Sequence, residues 1–276
     1  MSLAVLYSRA LAGLEAPLVT VEVHLAGGLP AFTIVGLPEA EVKEARDRVR
    51  AALLNCRFEF PARRITVNLA PADLPKESGR FDLPIALGIL AATRQLPAAN
   101  LAEYEFAGEL SLSGELRAIR GALAMTYRAA RSGRGFVLPT PSAAEAALVQ
   151  DAAIYPAPSL LAVCAHLTGE SRIERFSAPP SVNGVVYPDL SDVRGQAYAK
   201  RALEVAAAGG HNILMVGPPG SGKTMLARRL PGILPPLTTE EALETTAIHS
   251  AWGARLEGLM EVRPFRTPHH TAGPDY

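Results

Sequence analysis

Alternating apolar and polar residues predict β-strands in the first third of the chain. In residues 18–25 four aliphatic side chains share one face, and polar side chains, including His24, share the other. A period of two residues is typical of a half-buried strand. We expect residues 31–37, which follow a double-glycine turn, to form the strand that pairs with it. Residues 64–70 alternate in the same way and predict a further strand.

A period near 3.6 residues predicts helices between these strands. Residues 38–55 carry apolar side chains on one face, so we expect a helix that begins near Pro38. Its arginine cluster, 46–50, is interpreted as a solvated helix face rather than a phosphate contact. The later predicted elements are an apolar helix at 81–93, a hairpin at 105–116, a helix at 121–133, a strand at 135–139, and a helix, strand and helix up to 169. This mixture predicts an α+β domain over residues 1–169.

A second domain is predicted after a linker. Residues 170–188 lack a sustained period and are rich in proline, which is typical of a linker. Beyond it, residues 195–210 predict an alanine-rich helix and residues 212–217 predict a buried strand. A new helix is expected to begin at Lys223. We therefore interpret residues 189–276 as the N-terminal part of an α/β domain.

The loop between that strand and helix has the composition of a phosphate-binding loop. The letters GPPGSGKT, residues 217–224, match the pattern G-x-x-x-x-G-K-[ST]. Its glycines allow positive φ angles and a close approach of backbone amides to phosphate oxygens. Lys223 would place its charge on the β and γ phosphates, and the Thr224 hydroxyl would hold Mg²⁺. The predicted binding residues are Gly217, Pro218, Pro219, Gly220, Ser221, Gly222, Lys223, Thr224 and Met225, with ATP and Mg²⁺ as cofactors.

Composition and charge narrow the classes of function. Lys plus Arg and Asp plus Glu number 27 each, which argues against broad electrostatic binding to nucleic acid but leaves room for a local basic patch. Cys56 and Cys164 lack metal-ligand spacing and are expected to be reduced thiols. No apolar stretch approaches the roughly 18 residues of a membrane span, and the N-terminus is a poor signal peptide. We expect a cytoplasmic protein without a membrane partner.

Hydrolysis of ATP requires more than the phosphate loop. An acidic residue at the end of a second strand must hold Mg²⁺, and a further group must orient water. In residues 225–276 no Asp or Glu follows a run of about four apolar residues. We therefore identify no catalytic residue and expect the chain to stop inside its nucleotide-binding domain. ATP turnover by this chain is not expected.

The sequence resembles the magnesium-chelatase-related AAA+ family of the competence protein ComM, also called YifB. The resemblance covers nearly the whole chain and rests on VEVHLAGGLPAFTIVGLPEAEVKEARDRVRAAL, ITVNLAPADLPKESGRFDLPIALGIL, DVRGQAYAKRALEVAAAGGHNILMVGPPGSGKT and RPFRTPHHT. It implies a Lon-protease-like N-terminal domain, a fold shared with a domain of a ribosomal small-subunit protein, followed by a truncated AAA+ module. Val193 and Gln196 lie in a turn that resembles the AAA+ segment beside the adenine, and they join the predicted site. The resemblance also implies a hexameric, ATP-driven DNA helicase that performs branch migration in natural transformation.

The same resemblance argues against proteolysis. Lon-type proteases use a serine–lysine pair. Alignment places Arg80 near the position of the nucleophile, with Ser78 two residues away, and places Leu123 at the position of the lysine. We therefore predict a Lon-like fold without protease activity. Three alternatives stay open: a chelatase-type motor subunit, a peptidase that uses Ser78, and a non-catalytic assembly module.

Two adjacent histidines near the C-terminus raise the question of a metal site. Neighbouring residues of an extended segment point to opposite sides, so His269 and His270 are poorly placed to share one ion. We favour an exposed polar loop over a metal site.

Overall fold

The computed structural model describes residues 2–12, 15–150, 152–176, 187–251, 259–260 and 263–266. These residues divide into two compact units. The first contains the described residues up to 176 together with 243–251, and the second contains 187–242 with the described residues after 258. Most of the predicted linker lies outside the described residues, and its first part, 170–176, has neither helix nor strand.

The first unit is built on a seven-stranded mixed sheet and a short separate hairpin. The strands are β1 (Ser2–Arg9), β2 (Leu18–Ala26), β3 (Ala31–Val35), β4 (Arg64–Ala70), β5 (Tyr104–Phe106), β6 (Glu109–Leu110), β7 (Leu116–Arg117), β8 (Gly135–Pro139) and β9 (Ile154–Ala157). Their order in the main sheet is β3-β4-β2-β1-β5-β8-β9. Strand β2 is antiparallel to β1 and β4, and the remaining neighbours are parallel, so the sheet is mostly parallel.

The strand after the double-glycine turn does not pair with β2, so that prediction is wrong. Strand β3 pairs in parallel with β4, and β4 lies between β3 and β2. The reason is the helix Ala40–Asn55, which carries the chain from the end of β3 back to the start of β4. A parallel pair requires such a crossover connection.

Strand β1 lies at the centre of the sheet but was not among the predicted elements. Ala4, Leu6 and Ser8 are buried on the same face as the apolar residues of β2. The alternate positions include Leu3 and Val5, which are exposed to 62% and 38%. Because both faces of this strand are apolar, its sequence shows no alternation of polarity, and that is the signal on which a strand prediction depends.

The helices are α1 (Ala40–Asn55), α2 (Asp82–Ala92), α3 (Ala122–Arg131), α4 (Ala143–Ala146), α5 (Leu160–Thr168), α6 (Ala197–Gly209), α7 (Lys223–Ala227), α8 (Leu230–Ile233) and α9 (Thr239–Ala251). Every residue of α2 is buried, which fits its uninterrupted apolar sequence. It lies on β1 and β2 so closely that a Cβ on Gly88 would be 2.4 Å from Val23 Cγ2. No helix among the described residues is long and apolar enough to span a membrane.

Two hydrophobic cores lie on opposite faces of the sheet. Val137 of β8 belongs to the core beneath α1 and α2, whereas Phe136 and Leu138 belong to the core beneath α3 and α4. The predicted hairpin at 105–116 is right only in part, because β5 joins the main sheet and only β6 pairs with β7.

The second unit is helical within the described residues, and the predicted strand at 212–217 is wrong. This segment has no regular secondary structure, and Leu214 and Val216 are each 87% exposed. A strand requires a hydrogen-bonded neighbour, and no described residue of the second unit belongs to a strand. The small core of this unit consists of Leu190, Val193, Leu203 and Leu226.

Candidate nucleotide site

The predicted phosphate loop joins an irregular segment to the short helix α7. Helix α6 ends at Gly209, and the next residue, Gly210, has a φ of 62°; the chain then runs without regular structure to the loop. Gly222 precedes α7 with a φ of 82°, and Lys223 is the first helical residue, as predicted.

The three glycines of the loop serve different purposes. Gly220 and Gly222 have φ angles of 78° and 82°, the left-handed region that side chains disfavour. Gly217 does not have a positive φ, so two of the three glycines use the conformational freedom that the sequence allows. Its lack of a side chain instead leaves room, because a Cβ there would be 3.2 Å from Ser221 Oγ.

The amino group of Lys223 is folded into the loop. Its Nζ donates to the carbonyl oxygens of Gly217 and Pro218, at 2.8 Å each, and to Ser221 Oγ at 3.3 Å. Ser221 Oγ in turn donates to Pro218 O at 2.9 Å. An ammonium group surrounded by oxygen atoms occupies an environment that phosphate oxygens also provide. The residues present therefore fit a phosphate ligand.

The remaining loop residues form an open rim. Pro218 and Pro219 are exposed, as are Thr224 and Met225 on the first turn of α7. Thr224 is thus accessible to a ligand-bound Mg²⁺, and its role as a ligand stays a prediction.

Of the two residues predicted beside the adenine, Gln196 forms a hydrogen bond with the loop, whereas Val193 lies in the small core. Gln196 has a φ of 52° at the start of α6, and its Nε2 donates to Ser221 O at 3.3 Å. Val193 is 1% exposed and packs in the small core with Leu203 and Leu226. An adenine contact of Val193 remains a prediction.

The sequence did not indicate Arg229, whose guanidinium forms hydrogen bonds with the segments on either side of the loop. Its Nε donates to Asp189 O at 2.9 Å, its Nη1 to Met225 O at 3.0 Å and its Nη2 to Asp192 Oδ2 at 3.1 Å. The guanidinium thereby ties the turn before α6 to the helix that follows the loop. No short motif marks this residue, because its partners are up to 40 positions away.

The position aligned with the Lon nucleophile is occupied by a buried arginine. Arg80 is 5% exposed, and its Nε donates to Ser78 Oγ at 2.8 Å. Ser78 has a φ of 65° and ψ of 166°, a conformation rare outside glycine. Leu123, aligned with the Lon lysine, is 1% exposed in the second core. The hydrogen bond of Ser78 Oγ within the described residues is to Arg80, and neither Arg80 nor Leu123 can act as a base for this hydroxyl.

The arginine cluster of α1 is not wholly solvated, which corrects the prediction for Arg48. Its Nε and Nη2 donate to the two carboxylate oxygens of Asp82 at 2.7 and 3.1 Å. Burial raises the pKa of Asp82 to about 6, although the Arg48 guanidinium opposes that rise. The prediction failed because Asp82 is 34 residues from Arg48 in sequence.

The cysteines and histidines give no metal site in the described part of the chain. No group of three or more His, Cys, Asp or Glu side chains there is arranged to hold an ion. Cys56 and Cys164 are free, as expected, and burial raises the pKa of Cys164 to about 12. His269 and His270 lie outside the described residues.

Comparison with known proteins finds a family match in each half of the sequence. Residues 21–142 match the family model described as subunit ChlI of Mg-chelatase, and residues 189–275 match the model described as magnesium chelatase, subunit ChlI. The chain is 54% identical over 273 residues to the uncharacterized protein YifB of Salmonella typhimurium, and 52% identical over 278 residues to the competence protein ComM of Haemophilus influenzae. These alignments cover 99% of this chain and 54% and 55% of the relatives. The chain thus spans about half the length of the curated relatives it matches.

A mixed α/β fold, a glycine-rich loop that encloses a lysine and two matches to the chelatase subunit together define an AAA+-type, magnesium-chelatase-related protein. The relatives identify the family more narrowly than the two family models do, because their alignments cover 99% of the chain. The chain belongs to the magnesium-chelatase-related family of the ComM and YifB type.

Proposed function

We propose that this chain binds the phosphates of ATP at the loop 217–224. The observation that carries the proposal is the position of Lys223 Nζ, which lies inside the loop within 2.8 Å of two carbonyl oxygens. A lysine amine exchanges oxygen partners readily, because it is a point charge with three rotatable donors. A phosphate group that enters the loop would replace the carbonyl oxygens of Gly217 and Pro218.

The other residues of the loop support the same ligand. The left-handed angles of Gly220 and Gly222 allow backbone N–H groups to turn toward an anion. Thr224 would hold Mg²⁺, which neutralises phosphate charge when it is bound. Gln196 would fix the far side of the loop through its bond to Ser221 O. The match to the chelatase subunit over residues 189–275 supports ATP and Mg²⁺ at the level of the family.

In the full-length protein we propose that the nucleotide drives a ring-shaped motor. The family indicates an oligomeric AAA+ assembly, and one relative is named a competence protein. We propose a hexameric DNA helicase that performs branch migration during natural transformation. Residues 1–169 would form a Lon-like domain, 170–188 a linker and 189–276 the first part of the AAA+ domain.

We further propose that the Lon-like domain is not a protease. A serine–lysine mechanism needs a base within hydrogen-bonding distance of the nucleophile. Arg80 occupies the aligned nucleophile position and donates to Ser78 Oγ, and a guanidinium, which is always protonated, cannot serve as the base for that hydroxyl. A serine-reactive probe that labelled Ser78 would restore the peptidase alternative.

Titration calorimetry with Mg·ATP tests the nucleotide site directly. We expect binding by the 276-residue chain and its loss in Lys223→Ala. Lys200→Ala is the matched control, because this substitution removes the same charge from α6, outside the loop. Equal affinities of the chain and Lys223→Ala would contradict the site assignment. Loss of binding in Lys200→Ala to the same extent would show that the effect is one of net charge.

A further inference from the structure

The neighbouring helices α1 and α2 end in turns of the same type, and each turn has an arginine at the left-handed position that glycine usually occupies. After α1, Phe58 N donates to Leu53 O at 3.0 Å, and after α2, Gln95 N donates to Leu90 O at 2.9 Å. This pattern is the Schellman motif, whose left-handed position favours glycine. Here that position is Arg57 after α1 and Arg94 after α2, each with a φ of 63°.

The two turns are joined directly, so both arginines lie at one end of the helical layer. Glu59 N donates to Gln95 Oε1 at 2.9 Å, and Gln95 Nε2 donates to Glu59 O at 2.8 Å. A groove of about 530 Å³ opens between these segments and is lined by Arg63 and Arg94 among others. Its volume lies in the range of ligand sites.

The groove also has an aromatic surface. Phe60 lines it, and the guanidinium of Arg50 lies over the Phe60 ring, 5.2 Å from its centroid. A stacked arginine and phenylalanine present flat, sequence-tolerant surfaces of the kind that nucleic-acid bases contact.

The guanidinium groups around the groove have no carboxylate partners in the described residues. Arg50, Arg57, Arg63 and Arg94 are exposed, and none of them forms an ion pair with any described side chain. The acidic residue that lines the groove is Glu59. A balanced chain therefore carries a local excess of positive charge at this place.

Helix capping explains only part of this cluster. A cation near the C-terminus of a helix is favourable, which accounts for one basic residue after α1 and one after α2. It does not explain why each stands in the left-handed position, where a side chain is strained. Nor does it explain Arg63, which precedes β4. Strained residues that persist at a surface site are a sign of function.

We propose that this groove binds single-stranded nucleic acid, with Arg63 and Arg94 of its lining and Arg57 of the adjoining turn on its phosphates, and the Arg50–Phe60 pair beside a base. A concave groove admits an extended strand, whereas duplex DNA is read by elements that protrude into its own grooves. The site goes beyond the proposed nucleotide loop and does not depend on it. Binding is therefore expected without nucleotide and in Lys223→Ala.

Fluorescence anisotropy with a labelled oligothymidylate of about 16 nucleotides tests the proposal. The informative variant is Arg57→Gly/Arg94→Gly, because glycine suits both left-handed positions and the fold should be retained. We expect its affinity to fall roughly tenfold or more. The slope of log K against log salt should become shallower by about 1.4, which is about 0.7 for each lost phosphate contact to a single strand.

A control of equal charge separates a site from general electrostatics. Arg117→Gln/Arg172→Gln removes the same two charges from exposed positions of the same unit, outside the groove. We expect this variant to bind as the unmodified chain does, and thermal unfolding should show that both variants are folded. Unchanged affinity in the glycine variant overturns the proposal, as does an equal loss in the control. Absence of oligonucleotide binding, with binding to anionic vesicles instead, also overturns it.

Discussion

Replacing Arg9 by methionine tests the buried ion pair that joins β1 to β5. Arg9 Nε and Nη2 donate to the two carboxylate oxygens of Glu105 at 2.6 and 2.8 Å, and the side chains are 5% and 0% exposed. The guanidinium also donates to Ala16 O, Arg128 O and Ser132 Oγ. It thus connects the centre of the sheet to α3.

The size of the effect follows from what the substitution leaves behind. Removing one partner of a buried pair costs about 3–5 kcal/mol of unfolding free energy, because an uncompensated charge stays buried. Arg134 Nη1 remains 3.4 Å from Glu105 Oε1 and is partly exposed, so it offers some compensation. We therefore expect Arg9→Met to destabilise the protein by about 3 kcal/mol, the lower end of that range.

A double-mutant cycle separates the pair from the packing of its side chains. Urea unfolding, followed by circular dichroism, would compare Arg9→Met, Glu105→Leu and the double variant. The double variant removes both charges, so we expect it to cost at least about 2 kcal/mol less than the sum of the single variants. The exposed pair of Arg117 and Glu109 is the control, and Arg117→Met should cost less than about 1 kcal/mol.

Additive costs in the double variant would refute this reasoning. They would mean that Arg9 and Glu105 contribute independently, through packing or through their other hydrogen bonds, and not as a pair. A cost of Arg9→Met no greater than that of Arg117→Met would refute the claim that burial determines the magnitude.

Two further predictions concern the contacts of α2. The pKa of Asp82, raised by burial from 3.8 to about 6, means that folding takes up a proton between these values. The stabilisation that protonated Asp82 contributes is complete below about pH 4 and is lost as pH rises through about 6. Over this range the unfolding free energy of the unmodified chain should fall by about 3 kcal/mol relative to that of Asp82→Asn. Parallel pH profiles of the two proteins in urea unfolding would contradict this. Gly88→Ala should destabilise by about 1–3 kcal/mol, because its Cβ would meet Val23 Cγ2 at 2.4 Å. Gly27→Ala, which has open space, is the control, and Val23→Ala should partly rescue Gly88→Ala in thermal unfolding.

Segments with a clear period were predicted well because the period reflects burial. Residues 64–70 became β4 with the expected buried and half-buried alternation, and residues 195–210 became α6. The choice of strand neighbours failed, in addition to the missed strand β1 and the wrong strand at 212–217. The pairing of β3 with β4 depends on where the crossover helix returns the chain, and no local pattern in residues 31–37 carries that information.

The candidate nucleotide site was predictable because its residues are contiguous. The loop 217–224 brings its own glycines and lysine together, so a linear motif describes it. Arg229 was not predictable in this way, since its contacts reach Asp189 and Asp192 through the fold. The same applies to Arg9, whose carboxylate partner is 96 residues away. Arginines that act across the fold have no spacing rule that a single sequence can show.

Non-glycine residues at positive φ are a second group that could not be identified from the sequence. Glycine is the expected residue at positive φ, yet Leu37, Arg57, Ser78, Arg94 and Gln196 have φ angles of 52–65°. Three of these side chains make polar contacts or line a polar surface: Arg94 lines the basic groove, Ser78 accepts a hydrogen bond from Arg80, and Gln196 donates to the phosphate loop. Where a strained residue also makes a polar contact, that contact gives a reason for a side chain at a position that glycine could occupy with less strain. Glycine substitutions at Arg57, Arg94 and Gln196 therefore separate function from stability, because they relieve the backbone while they remove the side chain.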